Sequence, residues 1–140
     1  MSDSMLAFVK KEKLPTPEAL MRKAAAMGLQ LEEPEVKQLV DMSGYWPGTL
    51  HGVEAGFELF IAKNDPEDLK AWGIEPESLE GRDYCIELAF YTEEDVEACV
   101  IAIVVFCKLS DAITFDEEDR LRVNAQNVIR WARDEMGYEI

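Results

Sequence analysis

Tyr84-Cys85-Ile86-Glu87-Leu88-Ala89-Phe90-Tyr91 leads into Thr92-Glu93-Glu94-Asp95, then an unbroken apolar block from Ala98 to Cys107, and finally Ala112-Ile113-Thr114-Phe115. How this stretch is read decides the fold. The block is rich in β-branched residues (Val100, Ile101, Ile103, Val104, Val105), which favour a strand and allow a hairpin with Tyr84–Tyr91. Three features favour a helix. Thr92 can cap an N-terminus with Asp95 three residues on, close to a capping box. Glu93, Glu94 and Asp95 sit where a helix dipole is positive, and Lys108 lies near its negative end. The span from Thr92 to Asp111 also exceeds the usual strand length. The stretch therefore reads strand–helix–strand. Its helix is apolar around most of its circumference and must be covered on more than one side. It is too short an apolar run for a bilayer, which needs about 20 residues.

At 140 residues the chain reads as one α+β domain over residues 1–140, with 48% apolar and 31% charged residues. Its formal net charge of −15 is unevenly spread. Residues 1–30 carry five basic and three acidic side chains, whereas residues 31–140 carry nine basic and 26 acidic ones. Phosphate neutralisation needs a basic face, so nucleic acid is not the expected partner. An anionic membrane surface is excluded on the same ground. Solubility accounts for such a charge, and so does steering of a basic protein partner.

Cys85, Cys99 and Cys107 are odd in number, lie in apolar context and lack C-x-x-C spacing. They read as small buried hydrophobes, with no disulfide. The opening Met1-Ser2-Asp3-Ser4 has no basic region followed by an apolar core, so a cytoplasmic location is expected.

Taken in order, Met5–Val9 alternates as a first strand. Thr16 caps a helix with Pro17 at its first position and Gly28 beyond its end. Leu29–Leu31 reads as a strand, and Val36–Met42 is ambiguous. Ser43–Gly52, with three glycines, Pro47, two aromatics and the single histidine, reads as an irregular loop. Val53–Ala62 reads as one strand, with Glu54, Gly56 and Glu58 on its wet face. Asp65 and Pro66 open a short helix that Gly73 ends. Asp116–Asp119 reads as an acidic turn, Leu121–Val123 as a short strand, and Asn124 as the cap of a last helix. Trp72 and Trp131 read as core or boundary residues. The expected architecture is a sandwich of a mainly antiparallel sheet with helices packed on it, ferredoxin-like in character.

No phosphate-binding glycine loop, H-E-x-x-H, G-x-S-x-G or EF-hand pattern occurs. One histidine leaves no multi-histidine metal site. The acidic clusters are read as helix caps and solvated turns rather than cation ligands, so no metal or cofactor is expected. The loop carrying Tyr45, Trp46 and His51 is the candidate contact surface, because amphipathic rings are favoured at interfaces; the alternative is that both rings fold back on the sheet edge. The acidic run Asp116, Glu117, Glu118 and Asp119 joins it as a candidate for electrostatic contact.

In size, acidity, α+β pattern and lack of catalytic motifs, the chain resembles the small cytosolic immunity proteins of bacterial toxin systems. That resemblance implies a non-enzymatic protein that occludes a cognate toxin or effector. It carries over no individual residue. A secretion chaperone for an effector is a second reading, weakened because those proteins usually begin with a helix. An enzyme or small-molecule binder with a pocket at His51 is a third.

Overall fold

A computed structural model describes residues 3–115 and 122–140. Its main sheet has six strands. Four are central to the fold: β1 (Asp3–Val9), β6 (Phe57–Lys63), β7 (Tyr84–Phe90) and β8 (Ile113–Phe115). They lie in the order β6-β7-β1-β8, every neighbour antiparallel. Helix α1 (Pro17–Ala26) lies on the path from β1 to β6, and α3 (Glu93–Ser110) links β7 to β8. Each connection passes over one intervening strand, which is the split β-α-β arrangement of a ferredoxin-like fold. The expected α+β architecture is present.

The rest of the chain elaborates this core. Strand β3 (Ser43–Trp46) extends the sheet beside β6, and β9 (Arg122–Val123) extends it beside β8. Between α1 and β6, β2 (Leu29–Leu31), β4 (Gly48–Leu50) and β5 (Val53–Glu54) form a separate three-stranded sheet.

Helix α3 forms as its ends dictate. The Thr92 hydroxyl accepts the Asp95 N–H at 3.1 Å, and Asp111 closes the far end in the left-handed region at φ 54°. Lys108 donates to the Ala125 carbonyl, and the Arg82 guanidinium donates to the Asp111 carbonyl at 2.9 Å. Every residue from Ala98 to Cys107 is buried. The helix packs on β1, β6 and β7 and against α1 and the C-terminal helix α4 (Val128–Arg130), which continues as a π-helical turn, Trp131–Glu135. It is thus covered on several sides, as its all-round apolarity requires.

Strand alternation assigns the two sheet faces. Ala7, Val9, Leu59, Ile86 and Leu88 join the helices in the main core. Phe8 and Ile113 point the other way, into a second cluster with Leu69 and Leu79. That cluster lies under α2 (Pro66–Ala71), capped by Asp65 and begun by Pro66, and the 3-10 turn Pro76–Leu79. Both belong to the β6–β7 connection.

Several expectations are corrected. Ser43–Gly52 is not irregular: it forms β3 and β4, and His51 and Gly52 (φ 54° and 79°) make the two-residue turn joining Leu50 to Val53. A type I′ turn needs both central residues at positive φ, which suits Gly52 and is tolerated by histidine. Val53–Ala62 is two strands, broken at Ala55-Gly56. A Cβ on Gly56 would lie 2.2 Å from the Trp46 carbonyl oxygen, so the break approaches β3 too closely for any side chain. Asn124 does not cap α4. Its carboxamide oxygen accepts from Gln126 and Asn127 N–H groups in a turn before the helix. Of the two tryptophans read as core or boundary residues, Trp131 is buried, whereas Trp72 is 44% exposed. The acidic run Asp116–Asp119 lies outside the described residues.

Candidate functional site

Tyr45 and Trp46 are neighbours on a strand, so they face opposite ways. Trp46 pairs across β6 with Phe57 and turns inward. It is 1% exposed, its indole N–H donates to the Glu32 carbonyl at 2.6 Å, and its ring meets Phe57 edge-on at 6.0 Å. This burial removes Trp46 from any contact surface, a correction to its place among the candidates. Tyr45 pairs with Glu58, leaves the sheet on the side opposite Trp46 and is 48% exposed, its hydroxyl reaching the first turn of α3.

The Tyr45 ring lies over Gly56, and its hydroxyl donates to Asp95 Oδ1 at 3.3 Å. Asp95 is a buried carboxylate, and the reading of the 93–95 cluster as solvated caps fails there. Its Oδ1 also accepts the Gly56 N–H at 3.0 Å, and its Oδ2 accepts the Tyr91 N–H at 3.2 Å. In a capping box the carboxylate returns to the N-cap amide; here it goes one residue further back and also across to the β5–β6 break. One side chain thereby fixes the start of α3, the end of β7 and the edge carrying Tyr45. Asp95→Asn keeps the shape but turns an acceptor into a donor facing Tyr91 or Gly56. It should cost about 1–3 kcal/mol of stability, measurable by urea unfolding. Wild-type stability in that variant would show that the latch is incidental.

His51 stands at the β4–β5 turn, its Nε2 2.8 Å from Glu97 Oε2 of α3. Its side chain is largely exposed and lines neither described cleft. Tyr45, Trp46 and His51 do not form one patch.

A different set does share a face. Strand register places Tyr45, Glu58, Phe60, Glu87 and Ala89 on the side opposite Trp46, Leu59 and Leu88. Tyr91 follows Ala89 with the same parity, and its hydroxyl donates to Glu58. Phe60 is 39% exposed and Tyr91 58% exposed. Helix α2 covers only part of this face. Beside it a groove of about 150 Å³ is lined by Phe60, Trp72, Asp65, Asp68 and Glu87 over a floor that includes Cys85. Phe60 had a legible signal in the sequence, since it continues the wet row Glu54, Gly56, Glu58 as an aromatic. Trp72 had none, because its exposure depends on how α2 settles on the sheet.

The second cleft, about 190 Å³, lies where Arg82, Lys13 and Asp111 meet at the end of α3. There Arg82 serves the helix C-terminus, where a cation is favoured. Among the described residues, no group of three or more His, Cys, Asp or Glu side chains is placed to hold a metal. Nor is any described helix long and apolar enough to cross a membrane.

The thiols are buried or half-buried. Burial pushes Cys85 and Cys107 up to about 12 from the ordinary 9.0, and Cys99 upward as well. Burial, then the neighbouring Asp95 carboxylate, pushes Tyr45 up to about 12. Each folded value exceeds its unfolded value, so the native chain holds these protons more tightly. Their contribution to stability is complete below about pH 9 and is lost as pH rises towards about 12. Thermal scans should give a level midpoint from pH 7 to about 8.5 and a falling one above it; a flat profile to pH 10.5 would contradict this.

The chain matches no protein-family model, no curated protein and no solved structure.

Proposed function

We propose that this chain is a non-enzymatic acidic protein-binding module, an immunity or inhibitor protein of the cytoplasm. It acts by laying its open sheet face over a basic toxin or effector. The observation that carries this reading is the open face itself, where Tyr45, Phe60 and Tyr91 interleave with Glu58 and Glu87 on a rigid antiparallel sheet. Amphipathic rings contribute contact area at low entropic cost, and carboxylates between them select a basic surface. A net charge of −15 extends that selection to long range. Asp116, Glu117, Glu118 and Asp119 enter the proposal through their charge alone.

The test is affinity capture from the native cell with wild type, a Glu58→Gln/Tyr91→Ala variant and a Glu18→Gln control on exposed α1 surface. The reading expects one basic protein that is retained by wild type and control and lost by the face variant. A partner captured equally by all three would place the interface elsewhere.

A further inference from the structure

The groove beside α2 combines aromatic walls with an acidic rim, in which Asp65 also caps the helix. Its walls are aromatic: Phe60 from β6 and Trp72 at the end of α2, respectively 39% and 44% exposed. Its rim is acidic, with Asp65 and Asp68 from the start of α2 and Glu87 from β7; among the described residues Lys63 is the one cation lining it. Asp68, Glu87 and the Cys85 thiol line the same cleft. The sheet supplies an apolar base through Leu6 and Ala62. Asn64 lies here too, its amide donating to the Arg82 carbonyl at 2.9 Å while its own buried carbonyl oxygen has no hydrogen-bond partner among the described residues.

Aromatic faces attract cations through their quadrupoles, and an aliphatic stem can lie on apolar surface while its charged head stays polar. From this combination we infer that the groove is a receptor for a single basic side chain, arginine or lysine, presented by the protein partner. The stem lies over Leu6 and Ala62. The head meets the Trp72 and Phe60 rings with Asp68 and Glu87 as counter-charges. A guanidinium, being planar and forked, uses both rings and carboxylates more fully than an ammonium does. This deepens the proposed function by assigning an anchor point on the same sheet face.

Trp72 makes the groove directly observable. Trp46 and Trp131 are 1% and 6% exposed, so only the Trp72 indole should respond to a ligand in solution. The experiment titrates ¹⁵N-labelled protein with tri-arginine amide, tri-lysine amide and tri-norleucine amide, following the Trp72 indole and the Tyr45 and Tyr91 backbone amides together. Tri-arginine and tri-lysine amides should both shift the Trp72 indole, arginine at lower concentration, and Asp68→Asn/Glu87→Gln should weaken the response about tenfold. Tri-norleucine amide should leave it in place. An equal response to tri-norleucine, or an unchanged response in the double variant, would overturn the inference. Shifts at Tyr45 and Tyr91 with a silent Trp72 would overturn the groove and leave the open-face reading standing. Silence at all three positions would count against both.

Discussion

Val104→Asp should lower the melting temperature by about 6–20 °C or abolish a cooperative transition. Val104 is 1% exposed at the centre of α3, inside the block covered by the sheet, α1 and α4. A carboxylate there loses its hydration inside an apolar cluster. The protein can respond by protonating the side chain or opening the helix packing, and either costs about 3–5 kcal/mol. Stability of a domain this size is of order 5–15 kcal/mol, and about 1 kcal/mol moves the midpoint by roughly 2–4 °C. Calorimetry of wild type and variant measures the difference. An unchanged midpoint would mean that the apolar block is not the core.

Trp46→Ala should cost about 3–5 kcal/mol, because deleting a buried aromatic leaves a cavity that the β3–β6 edge cannot fully close. It also removes the donor to the Glu32 carbonyl and the edge-on contact with Phe57. Trp46→Phe should cost less, since it retains ring area and loses chiefly the hydrogen bond. The change is read by urea unfolding at constant slope. A Trp46→Ala protein as stable as wild type, but defective in partner binding, would return this residue to the interface. The same side chain thus separates a structural role from a contact role.

These two residues mark how far the sequence could be read. The α3 block was legible because several local signals agreed: the Thr92 cap, acidic first turn, Lys108 and length. Its all-round apolarity also implied the several partners it has. The strand–helix openings at Thr16-Pro17 and Asp65-Pro66 were legible for the same reason. Ser43–Gly52 was not, since its glycines and Pro47 resemble loop composition. Gly48 is in fact set by close approach, a Cβ there lying 2.8 Å from the Gln30 carbonyl oxygen. Nothing local to Tyr45-Trp46 says which ring turns inward; the register with Glu58 and Phe57 decides that. Asp95 shows the same limit. A near capping box predicts its place at N3, but its bonds to Gly56 and Tyr45 depend on contacts formed across 39 and 50 residues.

The architecture leaves one sheet face largely open. Both long helices pack on one side, and α2 covers only the corner of the other, so much of the second face stays open. Antiparallel pairing holds its side chains in fixed rows, and Asp95 secures the end where Tyr45 and Tyr91 stand. A preformed surface loses little entropy on association. Its acidic residues act at a distance and its rings only on contact, so the two contributions separate kinetically.

The most direct test of this account is surface-plasmon kinetics of the captured partner binding to wild type and to Tyr91→Ala across a salt series. Exposed charges are screened over about 10 Å at 0.1 M salt. The account predicts that association slows markedly as salt rises while dissociation changes little, and that Tyr91→Ala speeds dissociation with the salt dependence intact. An association rate independent of salt, together with wild-type dissociation for Tyr91→Ala, would contradict it.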